Sequence, residues 1–148
     1  MPIGKLDHFS IRTTDIEASR RFYTEIMGFQ PGFRPPFNFP GIWLYNGTQY
    51  PETTGVVHII GIDLNDPQGL KDYLGDKDLD TLNGTGTVDH MAFTATGLAD
   101  MLARLKKHGL EYRERSVPSL SLHQVFFEDP SGVTLELNYP GSEAQQAA

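Results

Sequence analysis

One short pattern occurs twice in this chain, and it limits the available folds more than any other feature. Leu6-Asp7-His8-Phe9-Ser10-Ile11 and Val88-Asp89-His90-Met91-Ala92-Phe93 share an order: aliphatic residue, Asp, His, then strand-like alternation. Each copy leads into a polar corner (Thr13-Thr14-Asp15; Ala95-Thr96-Gly97), an amphipathic helical stretch, and a Gly followed by an apolar residue. Copies separated by a whole module imply a chain built from two like units. His8 and His90 then occupy equivalent places.

The elements can be read along each module. Lys5 to Arg12 reads as a first strand. Thr14-x-x-Glu17 has the form of a capping box and predicts a helix from near Ile16. Ile16, Phe22, Tyr23, Ile26 and Met27 fall broadly on its inner face, Gly28 terminates it, and Phe29 is the returning apolar contact. Residues 31–41, PGFRPPFNFPG, cannot be a central strand, because proline has no N–H to give a ladder. The segment still carries Phe33, Phe37 and Phe39, with Trp43 just beyond, so it must lie against a pocket, a partner subunit or its own domain. Ile42 to Tyr45 and Val56 to Ile62 read as strands.

Residues 66–86 form an acidic connector with one short helix around Leu70, Tyr73 and Leu74. Connectors of this length are seldom idle; a surface crossover is the first expectation and a lid the second. The second module then repeats the first. Val88 to Ala95 is a strand, Leu98 to His108 a helix ended by Gly109, and Glu111 to Val117, Gln124 to Glu128 and Val133 to Asn138 are strands. Residues 141–148 are small and polar and are expected to fray. Each module is strand, helix, then up to three strands, which is an α+β arrangement.

Bulk properties exclude some functions. A chain of 148 residues makes one domain, or two small modules sharing a core. The net charge of −7 argues against nucleic acid, whose phosphates need clustered cations. The adjacent basic pairs, Arg20-Arg21 and Lys106-Lys107, sit on predicted helices. There is no Cys, hence no disulfide and no thiolate chemistry. No apolar run approaches membrane-spanning length, and Met1-Pro2-Ile3-Gly4-Lys5 does not resemble a signal peptide. A cytoplasmic protein without a membrane partner is the expectation.

The last strand of each module carries a ligand-capable residue among aliphatics: His58 in Val56-Val57-His58-Ile59-Ile60, and Glu136 in Thr134-Leu135-Glu136-Leu137-Asn138. Any one such His is more often a packed, hydrogen-bonded residue. The joint pattern points further, because three of the five histidines fall at repeat-equivalent strand positions. A carboxylate between two leucines is also costly unless paired or metal-bound. If the modules pair about a pseudo-twofold axis, His8, His58, His90 and Glu136 converge. Three imidazoles and one carboxylate suit a divalent transition metal. His108 reads as structural, while His123 stays open as a pocket residue.

With the Asp15-to-Phe29 stretch and Asp129-Pro130-Ser131-Gly132 leading to Glu136, these motifs resemble the vicinal-oxygen-chelate superfamily. That group includes glyoxalase I, methylmalonyl-CoA epimerase, extradiol dioxygenases and fosfomycin-resistance proteins. The resemblance runs from about Lys5 to Tyr139. It implies a single domain over 1–148, with module one at about 5–65, connector 66–86, module two 87–140 and tail 141–148. Its two paired βαβββ modules form a curved mixed sheet around a metal, often in a homodimer. The resemblance also implies the metal ligands, His8, His58, His90 and Glu136. The ion itself is left open among zinc, iron, nickel, cobalt and manganese.

Three chemistries remain. A glyoxalase-like lyase or isomerase binds adjacent substrate oxygens on the metal and stabilises the anion formed as a proton moves. Glu136 would then be ligand and base. His58 stands where those enzymes commonly carry Glu, and is either a ligand or an acid–base residue. An extradiol dioxygenase would use His8, His90 and Glu136 as its metal triad, but the Tyr expected ten residues before the ligand Glu is Phe126 here; Tyr50 is a possible substitute. A non-enzymatic, resistance-type binder would use the aromatic loop as a groove. Arg34, Phe39, Trp43, Gln124 and Phe126 are the candidate substrate-binding residues. For Arg34 a solvated loop position is the plainer alternative, and for Gln124 a cross-strand hydrogen bond.

Overall fold

The computed structural model describes residues 3–147. Residues 1, 2 and 148, with the last position of the expected tail, lie outside the described residues. The chain divides into two compact units, Met1–Leu82 and Asn83–Ala148. Among the described residues no helix is long and apolar enough to cross a membrane.

The first unit opens with β1 (Phe9–Thr13), shorter than the expected Lys5 start. Helix α1 (Ile16–Arg21) follows and passes into a π-turn at Phe22–Ile26. Its cap differs from the capping box predicted at Thr14: Asp15 is the N-cap and its carboxylate accepts from the Ala18 N–H at 2.9 Å. An Asp at the helix start meets both the orphan N–H and the positive helix end, so it prevails over Thr14. Gly28, at φ 76°, ends the helix, and the Phe29 N–H returns to the Tyr23 carbonyl at 2.9 Å. Strands β2 (Gln30–Pro31), β3 (Gly41–Tyr45) and β4 (Val57–Gly61) complete a four-stranded sheet of order β1-β4-β3-β2. Pro31 is tolerated because β2 is the edge. Helix α1 lies so close to β4 that a Cβ at Gly61 would collide with Ile16.

The connector contains α2 (Gln68–Leu74) and a 3₁₀ turn at Leu79–Thr81. Its helix and its 3₁₀ turn are each tied to the first unit. The Tyr73 ring packs 5.0 Å from Phe37 and 5.1 Å from Phe39, and Arg12 Nη2 donates to Thr81 Oγ1 at 2.6 Å.

The second unit repeats the plan. Strand β5 (Met91–Thr94) leads to α3 (Leu98–Lys107), then β6 (Tyr112–Val117), β7 (Leu122–Glu128) and β8 (Thr134–Pro140), in the order β5-β8-β7-β6. Leu98 and Leu105 of α3 are buried. His108, read as structural, caps the C-terminus of α3, and Gly109 follows at φ 66°. Each unit is therefore a mixed sheet, parallel where first and last strands meet and antiparallel elsewhere. The expected α+β class of strand, helix and three strands holds in both.

The tail also departs from expectation. The segment after Pro140 does not fray but forms α4 (Gly141–Ala147). The reason is a cap in trans. Helix α3 starts at Gly97, which has no side chain to cap it, and Glu143 Oε2 accepts from the N–H groups of Gly97 (2.9 Å) and Leu98 (2.7 Å) instead. A carboxylate at a helix N-terminus satisfies orphan donors and complements the helix dipole.

Candidate functional site

Register explains why the repeat places its histidines as it does. In the first sheet Ser10 pairs with His58, and in the second Ala92 pairs with Glu136. Each partner lies two residues after the repeated His, so side-chain alternation sets His8 on the face of His58 and His90 on the face of Glu136. The two modules thus present equivalent pairs, each on the face of a sheet.

In the first unit, His8 Nδ1 is bonded to Asp7 Oδ2 at 2.6 Å. Thr54 Oγ1 donates to the same carboxylate oxygen at 3.4 Å, and His58 Nε2 donates to the Thr54 carbonyl at 2.8 Å. This hydrogen bond to His8 holds the Asp7 carboxyl below the usual range. His58, only 4% exposed, is sandwiched: its ring centroid is 3.8 Å from His8 on one side and 3.8 Å from Trp43 on the other, with interplanar angles of 20° and 2°. Burial pushes its imidazole below the usual value, opposed by the bond to Thr54. Imidazole lone pairs lie in the ring plane, so rings stacked this way do not aim at one point.

In the second unit, His90 Nδ1 meets Asp89 Oδ2 at 2.8 Å and Nε2 meets Glu136 Oε2 at 3.0 Å. Both nitrogens face carboxylates, yet a neutral imidazole offers only one N–H. The remaining pair is two lone-pair donors, which needs positive charge between them, either a proton or a metal cation. Glu136, 7% exposed, has its other oxygen occupied: Oε1 accepts from Gln124 Nε2 at 2.9 Å and Asn138 Nδ2 at 2.7 Å. Gln124 Nε2 also reaches Asn138 Oδ1 at 2.9 Å. The amides leave one carboxylate oxygen to face His90.

The remaining predicted residues are placed as follows. Gln124 makes the cross-strand bonds just described, the plainer of its two expected roles. Phe126 stands edge-on to His90 at 6.0 Å and under the Arg113 guanidinium at 4.2 Å. Phe39 is buried, and Arg34 lies over Phe37 (5.3 Å) and Phe39 (5.0 Å) with Nη2 donating to the Phe39 carbonyl at 2.6 Å. Arg34 is therefore packed into the aromatic loop rather than solvated, and burial lowers its guanidinium from the usual value. Tyr50 is half-exposed against Phe33, at 4.2 Å. His123 is satisfied by Ser116 (2.9 Å) and Glu114 (2.8 Å) and buried, which makes it a structural residue.

Sequence reading missed four participants: Asp7 and Asp89, one in each repeat, with Thr54 and Asn138. The Asp had a signal, since it precedes both histidines. Asn138 had a weaker one, lying two residues after Glu136 and so on its face. Thr54 had none.

Among the described residues, no three His, Asp or Glu side chains are grouped so as to hold a metal ion. The chemistry of the donors nevertheless fits one. An Asp bonded to Nδ1 fixes the tautomer with Nε2 bare, which is how metal-ligating histidines are held, and His8 and His90 share this arrangement. Glu136 adds a single oriented oxygen.

The model of the Glyoxalase/Bleomycin resistance protein/Dioxygenase superfamily matches residues 5–137. The chain belongs to that superfamily. Among curated proteins it is similar to Glyoxylase I 4 of Arabidopsis thaliana, 28% identical over 143 residues that cover 91% of this chain and 70% of the relative. Among solved structures, a putative glyoxalase family protein from Bacillus anthracis aligns with TM-score 0.64 at 20% identity, covering 95% of this chain and 98% of that one. The fosfomycin resistance protein FosX from Listeria monocytogenes aligns with TM-score 0.63 at 17% identity, covering 93% and 94%. At such identities the structural likenesses establish the vicinal-oxygen-chelate fold. Superfamily members act on or bind small molecules and typically use a divalent metal.

Proposed function

We propose that this member of the superfamily is a divalent-metal-dependent lyase or isomerase of the glyoxalase type, acting on a small substrate that chelates the metal through adjacent oxygens. His90 carries the reading, because both of its ring nitrogens face carboxylates and a metal cation can take the place of the proton between Nε2 and Glu136. The repeated Asp7–His8 bond supports it from the other module. In this reading the donors are His8, His90 and Glu136, with His58 the fourth candidate. The sandwich around His58 favours a role as the seat that orients His8. Zinc, iron, nickel, cobalt and manganese all accept such donors.

A metal so held supplies Lewis acidity, stabilising charge that develops on substrate oxygens. The chain's own residues do the rest. Asp7 and Asp89 keep His8 and His90 in one tautomer, Gln124 and Asn138 fix Glu136 Oε1, and Glu136 Oε2 is the oxygen left to take and return a proton. Phe126 gives His90 an apolar neighbour, and Trp43 holds the His58 ring against His8. We place the protein in the cytoplasm as a homodimer, the form that the resemblance implies.

The test is metal content after purification without added metal, followed by activity. Wild-type protein is expected to carry about one ion per chain and to isomerise a hemithioacetal. His90→Ala and Glu136→Ala are expected to lose the ion while staying folded. Retention of metal by either variant would show the donor set to be wrong. A metal-free but folded wild type would favour the resistance-type binder.

One observation favours a second reading. With His58 stacked, the donors are two His and one carboxylate, the triad of an extradiol ring-cleaving dioxygenase. Phe126 stands where a phenol would be expected, so this reading ranks second. Oxygen uptake with catechol separates the two.

A further inference from the structure

Outside the candidate metal donors, the first unit holds a cavity of about 290 Å³ beneath the connector. That volume lies at the lower end of the roughly 300–1,000 Å³ of small-molecule clefts, so it suits a small organic ligand rather than a nucleotide. Its apolar wall comes from Ile62, Leu70, Leu74 and Leu79. The charges on it are unbalanced. Arg12, Lys71 and Lys77 line it against a single carboxylate, Asp76, which pairs with Lys71 at 3.5 Å.

Arg12 and Lys77 have no acidic partner among the described residues. Arg12 donates to one neutral hydroxyl, Thr81 Oγ1, and keeps further N–H groups of its fork unassigned. The connector around it is acidic, but the cavity wall itself carries more positive than negative side chains. The connector builds the feature: α2 supplies Leu70 and Leu74, and the 3₁₀ turn supplies Leu79.

We infer that this cavity is a binding site for a small amphipathic organic anion, with the carboxylate on Arg12 and Lys77 and an aliphatic or aryl tail on Ile62, Leu70, Leu74 and Leu79. A guanidinium fork matches a planar carboxylate, and the tail removes leucine surface from water. The charges exclude a cationic ligand, and the aliphatic wall disfavours a purely polar one. The site needs no metal and does not rest on the proposed chemistry. It belongs to the connector, for which a crossover alone would not require a cavity.

The test is calorimetric titration of the metal-free full chain with octanoate, octanol and octylamine. Octanoate is expected to bind saturably, at least tenfold more tightly than octanol, as a charge-assisted bond implies, and octylamine not at all. Arg12→Met and Leu74→Trp are each expected to weaken octanoate about tenfold or more, with thermal unfolding confirming that both remain folded. Thr81→Ala separates recognition from scaffolding, and is expected to bind octanoate nearly as wild type does. The inference is overturned if octanoate fails to saturate at millimolar concentration. It is equally overturned if octanol matches octanoate, if Leu74→Trp binds normally, or if Thr81→Ala loses as much as Arg12→Met.

Discussion

His90 Nε2 lies 3.0 Å from Glu136 Oε2, while the other oxygen of that carboxylate is taken by two amides. Glu136 thereby has one oxygen held by the amides and the other set against His90. Its two backbone neighbours, Leu135 and Leu137, are buried at 0% and 2% exposure, so the strand is anchored in the core on the opposite face. A carboxylate in that setting, with one oxygen committed and the other against an imidazole, is held in one orientation on the sheet face.

The amide clamp makes a specific claim. Gln124→Leu and Asn138→Leu each remove one donor from Oε1 with little change in volume, and partners that orient a metal ligand are commonly worth about 10–100-fold in affinity. The double variant is therefore expected to lose metal affinity by about that factor while unfolding at nearly the wild-type temperature. Competition against a chelator gives the affinity. The cobalt-substituted spectrum is expected to shift, since the freed oxygen can then reach the ion. Unchanged affinity in the double variant would remove the clamp's role.

His58 is tested by comparing two replacements. Phe preserves a flat ring between Trp43 and His8, whereas Ala leaves a cavity there. If the ring is a seat, His58→Phe keeps bound metal and most of the turnover, and His58→Ala costs about 2–4 kcal/mol of stability as large-to-small core changes do. Metal analysis and urea unfolding give the answer. Equal loss of metal in both variants would make His58 a donor.

The repeat made much of this fold legible. A pattern of Asp-His, helix and glycine stop, met twice, was enough for the module order, and alternation along each strand set His90 and Glu136 on one face. The His58 sandwich was harder to see. That Trp43 sits opposite His58 depends on the register of β3 and β4, which is fixed by loops whose prolines and glycines say only that a turn occurs. Thr54 lies in such a loop, and its carbonyl has no sequence signature at all. The C-terminal helix was missed because composition reports whether a segment can pack, not that Glu143 would find Gly97 some forty-six residues away.

That cap yields a stability prediction. Glu143→Ala leaves two N–H groups at the start of α3 without their acceptor and is expected to cost about 1 kcal/mol. Glu143→Gln retains an oxygen but no charge, and should fall between. Urea unfolding of the three proteins decides it. Identical midpoints would mean that the N–H groups are equally well served by water.

Tyr139 offers a test by pH. Its side chain is fully buried, its hydroxyl has no hydrogen-bond partner, and its pKa is raised from 10.0 to about 12, chiefly by burial, with the Glu143 charge adding and Arg104 opposing. Between pH 10 and 12 the unfolded chain loses this proton while the folded chain keeps it. The unfolded state then binds fewer protons, so stability must fall as pH rises through that window, by up to roughly 2–3 kcal/mol from this group. Tyr139→Phe removes both liabilities. The variant is expected to be more stable at pH 7 by about 1 kcal/mol, since an unsatisfied hydroxyl is lost, and its advantage should widen from pH 10 upward. Because the other tyrosines titrate in both proteins, the difference between the two curves is the measurement. Parallel curves above pH 10 would show that the phenol ionises as readily in the folded chain as in the unfolded one.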